Sequence, residues 1–173
     1  MKEIMHGFLD VLGKDFRFIW EDGLRPMCAE INKRFPGQEL TGVEIGVNKG
    51  RNAAIMLKKM NLKMLYLIDP KVFHGVKRKL AKFDNYIFLE KKSKDAVNDI
   101  PDGLDFVYID GDHSFQGVLD DIKNYLPKVR EGGILGGHDF GNPCEDVSET
   151  VMRFAIGNNV KLYFKDRDWW MIK

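Results

Sequence analysis

Two short stretches concentrate the side chains that could do chemistry. Residues 108–115 read YIDGDHSF, where an apolar run from Asp105 to Ile109 breaks off into Asp110, Gly111, Asp112 and His113. Further on, GGILGGHDF ends in His138 and Asp139. Each stretch puts a carboxylate and an imidazole at the end of an apolar segment. Brought together, Asp110 and Asp139 would repel, so a shared proton, a cation or a cationic ligand must compensate. Oxygen donors with an optional imidazole suit Mg²⁺ or Mn²⁺ and disfavour structural zinc. His113 and His138 are of the type that serves as a general base near neutral pH. Singly, each residue has a structural explanation too: Asp-Gly is a common turn pair, and many histidines only satisfy hydrogen bonds.

Three further stretches carry polar residues after apolar runs. In VEIGVNKGRNA, Glu44 is followed by Gly46, Val47, Gly50 and Asn52. Glycines there let a backbone approach a ligand closely. The spacing departs from the G-x-G-x-x-G dinucleotide fingerprint, and Glu44 would repel a phosphate. A cationic or hydrogen-bond-donating ligand suits it better, such as the amino group of S-adenosylmethionine. In YLIDP, Asp69 could accept hydrogen bonds from ribose hydroxyls, or form a turn with Pro70. In LEKKSKDA, Ser93 suits a helix N-cap and could also border an adenine.

These residues need elements to position them. Apolar periodicity predicts two N-terminal helices, with Ile4, Phe8, Val11 and Leu12 on one face and Leu24, Met27, Cys28 and Ile31 on another. Pro26 fits the first turn of the second, and Pro36-Gly37 ends it. Strands are predicted over 40–47, 64–68, 86–89, 104–109 and 133–136. Helices are predicted over 52–60, 72–83, 94–100, 117–126 and 147–156, the last opened by a capping box of Asp146 and Glu149. Two final strands, 160–164 and 169–172, are joined by a loop of four residues, Lys165 to Asp168. Repeated strand–helix units imply an α/β, doubly wound, mostly parallel sheet; the last pair adds an antiparallel hairpin, making seven strands. Ligands of such sheets sit outside the strands' carboxyl ends, and the fourth strand lies beside the first. Asp110 and Asp139 should therefore converge on one cleft, with His113 and His138 beside them. Trp169 and Trp170 alternate in facing: one is core, and the other lies under a helix or at an interface, which leaves a homodimer open.

The 173 residues are 44% hydrophobic and 31% charged, as in a folded globular chain, and are read as a single domain: a helical cap over 1–36 and a ligand-binding core over 37–173. The net charge of +1 argues against nucleic acid as the main partner. The lysines of 77–82 and 91–94 read as a solvated helix face and a loop. Cys28 and Cys144 form no metal-ligand spacing. No apolar run reaches the roughly 18 residues of a spanning helix, so no membrane partner is expected. The N-terminus lacks a signal-peptide layout, so the expected location is cytoplasmic.

The glycine loop, YLIDP and the long block from Asp105 to Phe140 resemble class I S-adenosylmethionine-dependent methyltransferases, over residues 40–156. The closest group is the small set similar to macrocin O-methyltransferase and the cephalosporin-biosynthesis methyltransferase-like proteins. The resemblance implies a Rossmann-like methyltransferase fold and O-methylation of a small molecule or sugar. Glu44, Gly46, Gly50 and Asn52 would cradle the methionine portion, Asp69 the ribose, and Ser93 would lie near the adenine. Asp110 would border the methionine end. In metal-dependent relatives the positions of Asp110 and Asp139 bind Mg²⁺, but His138 stands where those relatives carry a carboxylate. Two other readings stay open: a non-catalytic S-adenosylmethionine-binding or interaction module, and an NAD-type oxidoreductase, which the glycine spacing disfavours.

Overall fold

Pro26 opens the first described helix, where its missing N–H leaves no hydrogen bond unmade. The computed structural model describes residues 23–142 and 146–173. The predicted face of Ile4, Phe8, Val11 and Leu12, and Cys144, lie outside the described residues. Helix α1 (Pro26–Arg34) leads to β1 (Leu40–Ile45), α2 (Arg51–Lys59) and β2 (Leu62–Ile68). Then come α3 (Val76–Leu80), β3 (Tyr86–Leu89), α4 (Ser93–Ala96) and β4 (Leu104–Ile109). Helix α5 (Phe115–Tyr125), β5 (Val129–Gly137), α6 (Val147–Gly157), β6 (Leu162–Lys165) and β7 (Asp168–Ile172) complete it.

The seven strands form one sheet in the order β3-β2-β1-β4-β5-β7-β6. Strands β1 to β5 are parallel, and β7 runs antiparallel to both β5 and β6. The doubly wound α/β architecture with its terminal hairpin is thus as expected. The winding reverses between β1 and β4, where Ile45 pairs with Ile109. Apolar side chains fill both faces. One layer joins Met27, Ile31, Met56 and Leu65 with Trp170; the other joins Val107, Ile122, Val151 and Leu135 with Trp169. Both indoles are buried, and Trp170 lies in the layer that contains the α1 residues.

Four local expectations are corrected. The helix predicted over 72–83 is confined to Val76–Leu80, because Gly75 takes a left-handed φ of 87° immediately before it. Strand β5 begins at Val129, earlier than expected. The closing hairpin turns on Asp166 and Arg167 alone, since Lys165 already pairs with Asp168. No capping box opens α6: the Asp146 carboxylate accepts from the Phe115 N–H at 3.3 Å, and Glu149 pairs with Arg153 at 2.7 Å.

Candidate functional site

The carboxyl ends of β1, β2, β3, β4 and β5 open onto one cleft of about 1030 Å³. At its floor Glu44 is only 1% exposed. Its Oε1 accepts from Asn52 Nδ2 at 3.0 Å, while Oε2 has no hydrogen-bond partner among the described residues. Burial pushes this carboxyl up to about 8, against the opposing pull of the Asn52 hydrogen bond and Arg25. Such a group is an acceptor in wait for a donor. Gly46 follows at φ 85°, and a Cβ there would stand 2.0 Å from the Asp110 carbonyl oxygen. Only glycine fits, because the chain leaving β4 crosses at backbone distance. Val47 lines the cleft and its carbonyl accepts from Gly50 N–H at 2.8 Å, closing the turn into α2.

Asp69 lines the same cleft at 7% exposure. Its Oδ2 accepts from the Asn48 N–H at 2.8 Å and its Oδ1 from the Lys71 N–H at 2.9 Å. It therefore makes the turn and also braces the glycine loop across the β1–β2 tips. Ser93 also lines the cleft but is not an N-cap: it is the first residue of α4, and Lys92 precedes it as the cap without a side-chain bond.

The tips of β4 and β5 bring Asp110, His113 and Asp139 together. One ligand atom from each lies within 4.8 Å of the others. His113 Nε2 is 3.4 Å from Asp110 Oδ1 and 3.6 Å from Asp139 Oδ2. His138 Nδ1 is 3.2 Å from Asp139 Oδ2. Asp139 sits at a left-handed φ of 61°, a conformation aspartate tolerates better than most residues. Its hydrogen bond with His138 holds its carboxyl below the usual range, against burial, with help from His113 and Arg167. The repulsion expected between the two carboxylates is answered by cations of the chain. Arg25 Nη1 binds Asp110 Oδ2 at 2.7 Å, and Arg167 Nη1 lies 3.5 Å from Asp139 Oδ1. Asp112 serves the backbone instead, accepting from the Ser114 N–H at 3.0 Å and shaping the turn into α5.

A family model described as a methyltransferase domain matches residues 43–140, which span this whole arrangement from β1 to the end of β5. The chain belongs to that family. An uncharacterized protein of Acanthamoeba polyphaga mimivirus is 31% identical over 119 residues, 61% of this chain and 54% of that protein. The chain thus spans about half the length of the curated relative it matches. Among solved structures, an rRNA methylase from Streptococcus thermophilus superposes with a TM-score of 0.65 at 13% identity, over 89% of this chain and 96% of its own. MycE methyltransferase from the mycinamycin biosynthetic pathway, in complex with Mg, SAH and mycinamycin VI, superposes with a TM-score of 0.65 at 16% identity, over 86% of this chain and 48% of its own. At such identities the likeness is one of fold. Among the described residues, no helix is long and apolar enough to cross a membrane.

Three site-bound residues escape a reading by motif. Arg25 donates to Tyr108 Oη at 2.9 Å as well as to Asp110. Tyr108 donates in turn to Asp168 Oδ1 at 2.7 Å, and Asp168 Oδ2 accepts the Met27 N–H at 2.9 Å. Tyr108 and Asp168 are 0% and 1% exposed. Tyr108 reads as one more apolar strand residue and Asp168 as a hairpin loop residue. The available signal was an arginine and an aspartate at the edges of otherwise apolar segments.

Proposed function

We propose that this methyltransferase moves the methyl group of S-adenosylmethionine to a hydroxyl of a small molecule or sugar, as its resemblance to the macrocin O-methyltransferase-like group suggests. One observation carries the reading: a buried Glu44 with an unpartnered oxygen shares its cleft with the Asp110–His113–Asp139 cluster. The first suits the donor's amino group, with Gly46, Val47, Gly50 and Asn52 around it. Asp69 takes the ribose and Ser93 lies by the adenine. A nicotinamide dinucleotide fits less well, since Glu44 stands where its pyrophosphate would approach.

The acceptor oxygen attacks the methyl carbon in line, the carbon–sulfur bond breaks, and the sulfur leaves as a neutral thioether. Much of the acceleration comes from holding the two reactants in that geometry, up to ~7–11 kcal/mol in well-oriented cases. The hydroxyl proton passes to His138 Nε2, because Nδ1 faces Asp139 and Asp139 stays ionised. Such a base contributes on the order of 10²–10⁴-fold. His113 braces both carboxylates and is the alternative base. The donor set also fits a divalent cation: two carboxylates and an imidazole, close enough to share one ion. Asp110 and Asp139, with His113, would hold Mg²⁺, which would act there as a Lewis acid toward the acceptor hydroxyl. The balanced charge supports a small acceptor over nucleic acid.

Calorimetric titration with S-adenosylhomocysteine, with and without Mg²⁺, tests the donor side on wild type and Asp69→Ala. The expected result is binding that the variant weakens while its melting temperature shows it folded. Transfer of isotopically labelled methyl to a panel of hydroxylated small molecules and sugars, with RNA as a comparison, tests the acceptor side. Binding without transfer to any acceptor would favour a non-catalytic module. No binding in any condition would overturn the proposal.

A further inference from the structure

Charge is unevenly spread along this chain. Residues 49–94 hold 13 of its 27 lysines and arginines but only three of its 26 acids, Asp69, Asp84 and Glu90. The net charge of +1 is therefore the sum of a strongly basic stretch and an acidic remainder. The basic stretch runs from the glycine loop to α4, so it occupies one end of the sheet, bounded by the edge strand β3. All of its lysines and arginines are exposed. Among the described residues only one of them, Lys91, is in an ion pair, with Asp99 at 2.6 Å. Elsewhere Arg25, Lys128, Arg130, Arg153 and Arg167 each lie against a carboxylate. Unpaired like charges on one surface repel one another and raise a local potential that draws an anionic partner.

The packing at this end joins the charges into one surface. A Cβ on Gly50 would lie 3.3 Å from Val76 Cγ1, so α3 rests on the glycine loop, and Lys79 Nζ donates to the Lys49 carbonyl. Between α3 and β3 lies a cavity of about 370 Å³ that shares no lining residue with the methyl-transfer cleft. Val76, Leu80 and the half-buried rings of Tyr86 and Phe88 wall it, and Lys77 and Glu90 add a donor and an acceptor. An apolar, aromatic cavity with one donor and one acceptor suits a planar heterocycle. Cations on α2, α3 and the β3 tip surround it, a spread that a chain of phosphates can follow and a single nucleotide cannot. We propose that the α3–β3 end is a docking surface for single-stranded nucleic acid: one base enters the cavity against Tyr86 and Phe88, and the flanking phosphates follow Lys77, Arg78 and Lys82. Stacking on aromatic rings and neutralisation of the backbone are the two terms that hold a single strand. An anionic membrane would use the cations and leave the cavity unfilled. The surface lies on the opposite side of β1 from Asp110, His113 and Asp139, so the strand docks beside the cleft and the small acceptor keeps its place.

The test is fluorescence anisotropy with labelled, mixed-sequence RNA and DNA single strands of about 12 nucleotides, a length typical of single-strand sites. Duplex DNA of the same sequence and phosphatidylserine vesicles serve as competitors. Wild type should bind a single strand more tightly than the duplex, with an affinity that falls as salt rises. The triple variant Lys77→Glu, Arg78→Glu, Lys82→Glu should weaken binding more than tenfold and lower the salt slope by about 2, at roughly 0.7 per phosphate contact. Tyr86→Leu keeps the cavity apolar and removes the ring; it should cost roughly fivefold or more with the salt slope unchanged. Melting curves check that both variants fold. The wild-type measurement alone can overturn the proposal: no binding at about 50 mM salt does so, as does a preference for the duplex or for the vesicles. Folded variants that bind as wild type does would overturn it too. None of these outcomes touches the methyl-transfer reading, whose tests use the cleft and not this surface.

Discussion

Glu44 holds its proton at a pH where most carboxyls have lost theirs. Its ordinary value is 4.5 and burial pushes it up to about 8. The native state therefore binds more protons than the unfolded chain between pH 4.5 and 8. By linkage, its contribution to stability is present below the unfolded value and is lost as pH rises through the folded one. Urea unfolding across that window should show stability falling with pH, and Glu44→Gln should flatten the slope. Asp121 and Asp168, both raised to about 6, add a decline of the same sign at lower pH. A cationic ligand group prefers the ionised form, so S-adenosylhomocysteine binding below about pH 8 should release a proton. Calorimetry in buffers of different ionisation enthalpy reads that release directly, and it should vanish in Glu44→Gln. Glu44 was legible as a site residue because a carboxylate after an apolar run marks a strand tip. Asp121, buried on the cleft wall, was not, because nothing in an amphipathic helix pattern says that one of its acids faces inward.

At the scale of elements, the stretch around Asp110 divides its labour. Asp110 faces the cleft, Asp112 shapes the turn, and Ser114 caps α5 by accepting from the Gly117 N–H at 3.2 Å. Ser114→Ala should cost about 1 kcal/mol, seen as a lower urea midpoint with an unchanged slope. The strands and their order could be read because a parallel sheet buried on both faces leaves continuous apolar runs. Helix ends were harder. The Asp146–Glu149 pair has the spacing of a capping box, yet both side chains found other partners, one of them on a different helix. Spacing encodes local options, and tertiary neighbours choose among them. The same holds for the hairpin, where Asp168 left the expected loop for the core, drawn by hydrogen bonds from Tyr108 and Met27.

Across the whole molecule, the sheet gathers the acidic cluster, and residues far apart in sequence stabilise it. Arg25 precedes α1, Tyr108 lies in β4 and Asp168 in β7, and together they hold Asp110 from behind. No window of sequence contains that network, which is why the compensation for Asp110 was expected from a shared proton, a cation or a cationic ligand. Arg25 occupies Oδ2 and leaves Oδ1 facing His113 and, beyond it, Asp139. The cluster is thus partly neutralised yet still offers three ligand atoms to a cation. Because these atoms come together only when β4 and β5 pair, an ion bound there must favour the folded chain by mass action. At a hundredfold excess over Kd the gain is about 2.7 kcal/mol, or roughly 5–11 °C in melting temperature for a chain of this size. Chelator-treated protein should therefore melt higher when Mg²⁺ or Mn²⁺ is restored, and Asp139→Asn should abolish the rise without removing S-adenosylhomocysteine binding. If neither ion moves the melting temperature, the two arginines are the whole compensation, and the proposed proton transfer to His138, with His113 as the alternative base, needs no metal.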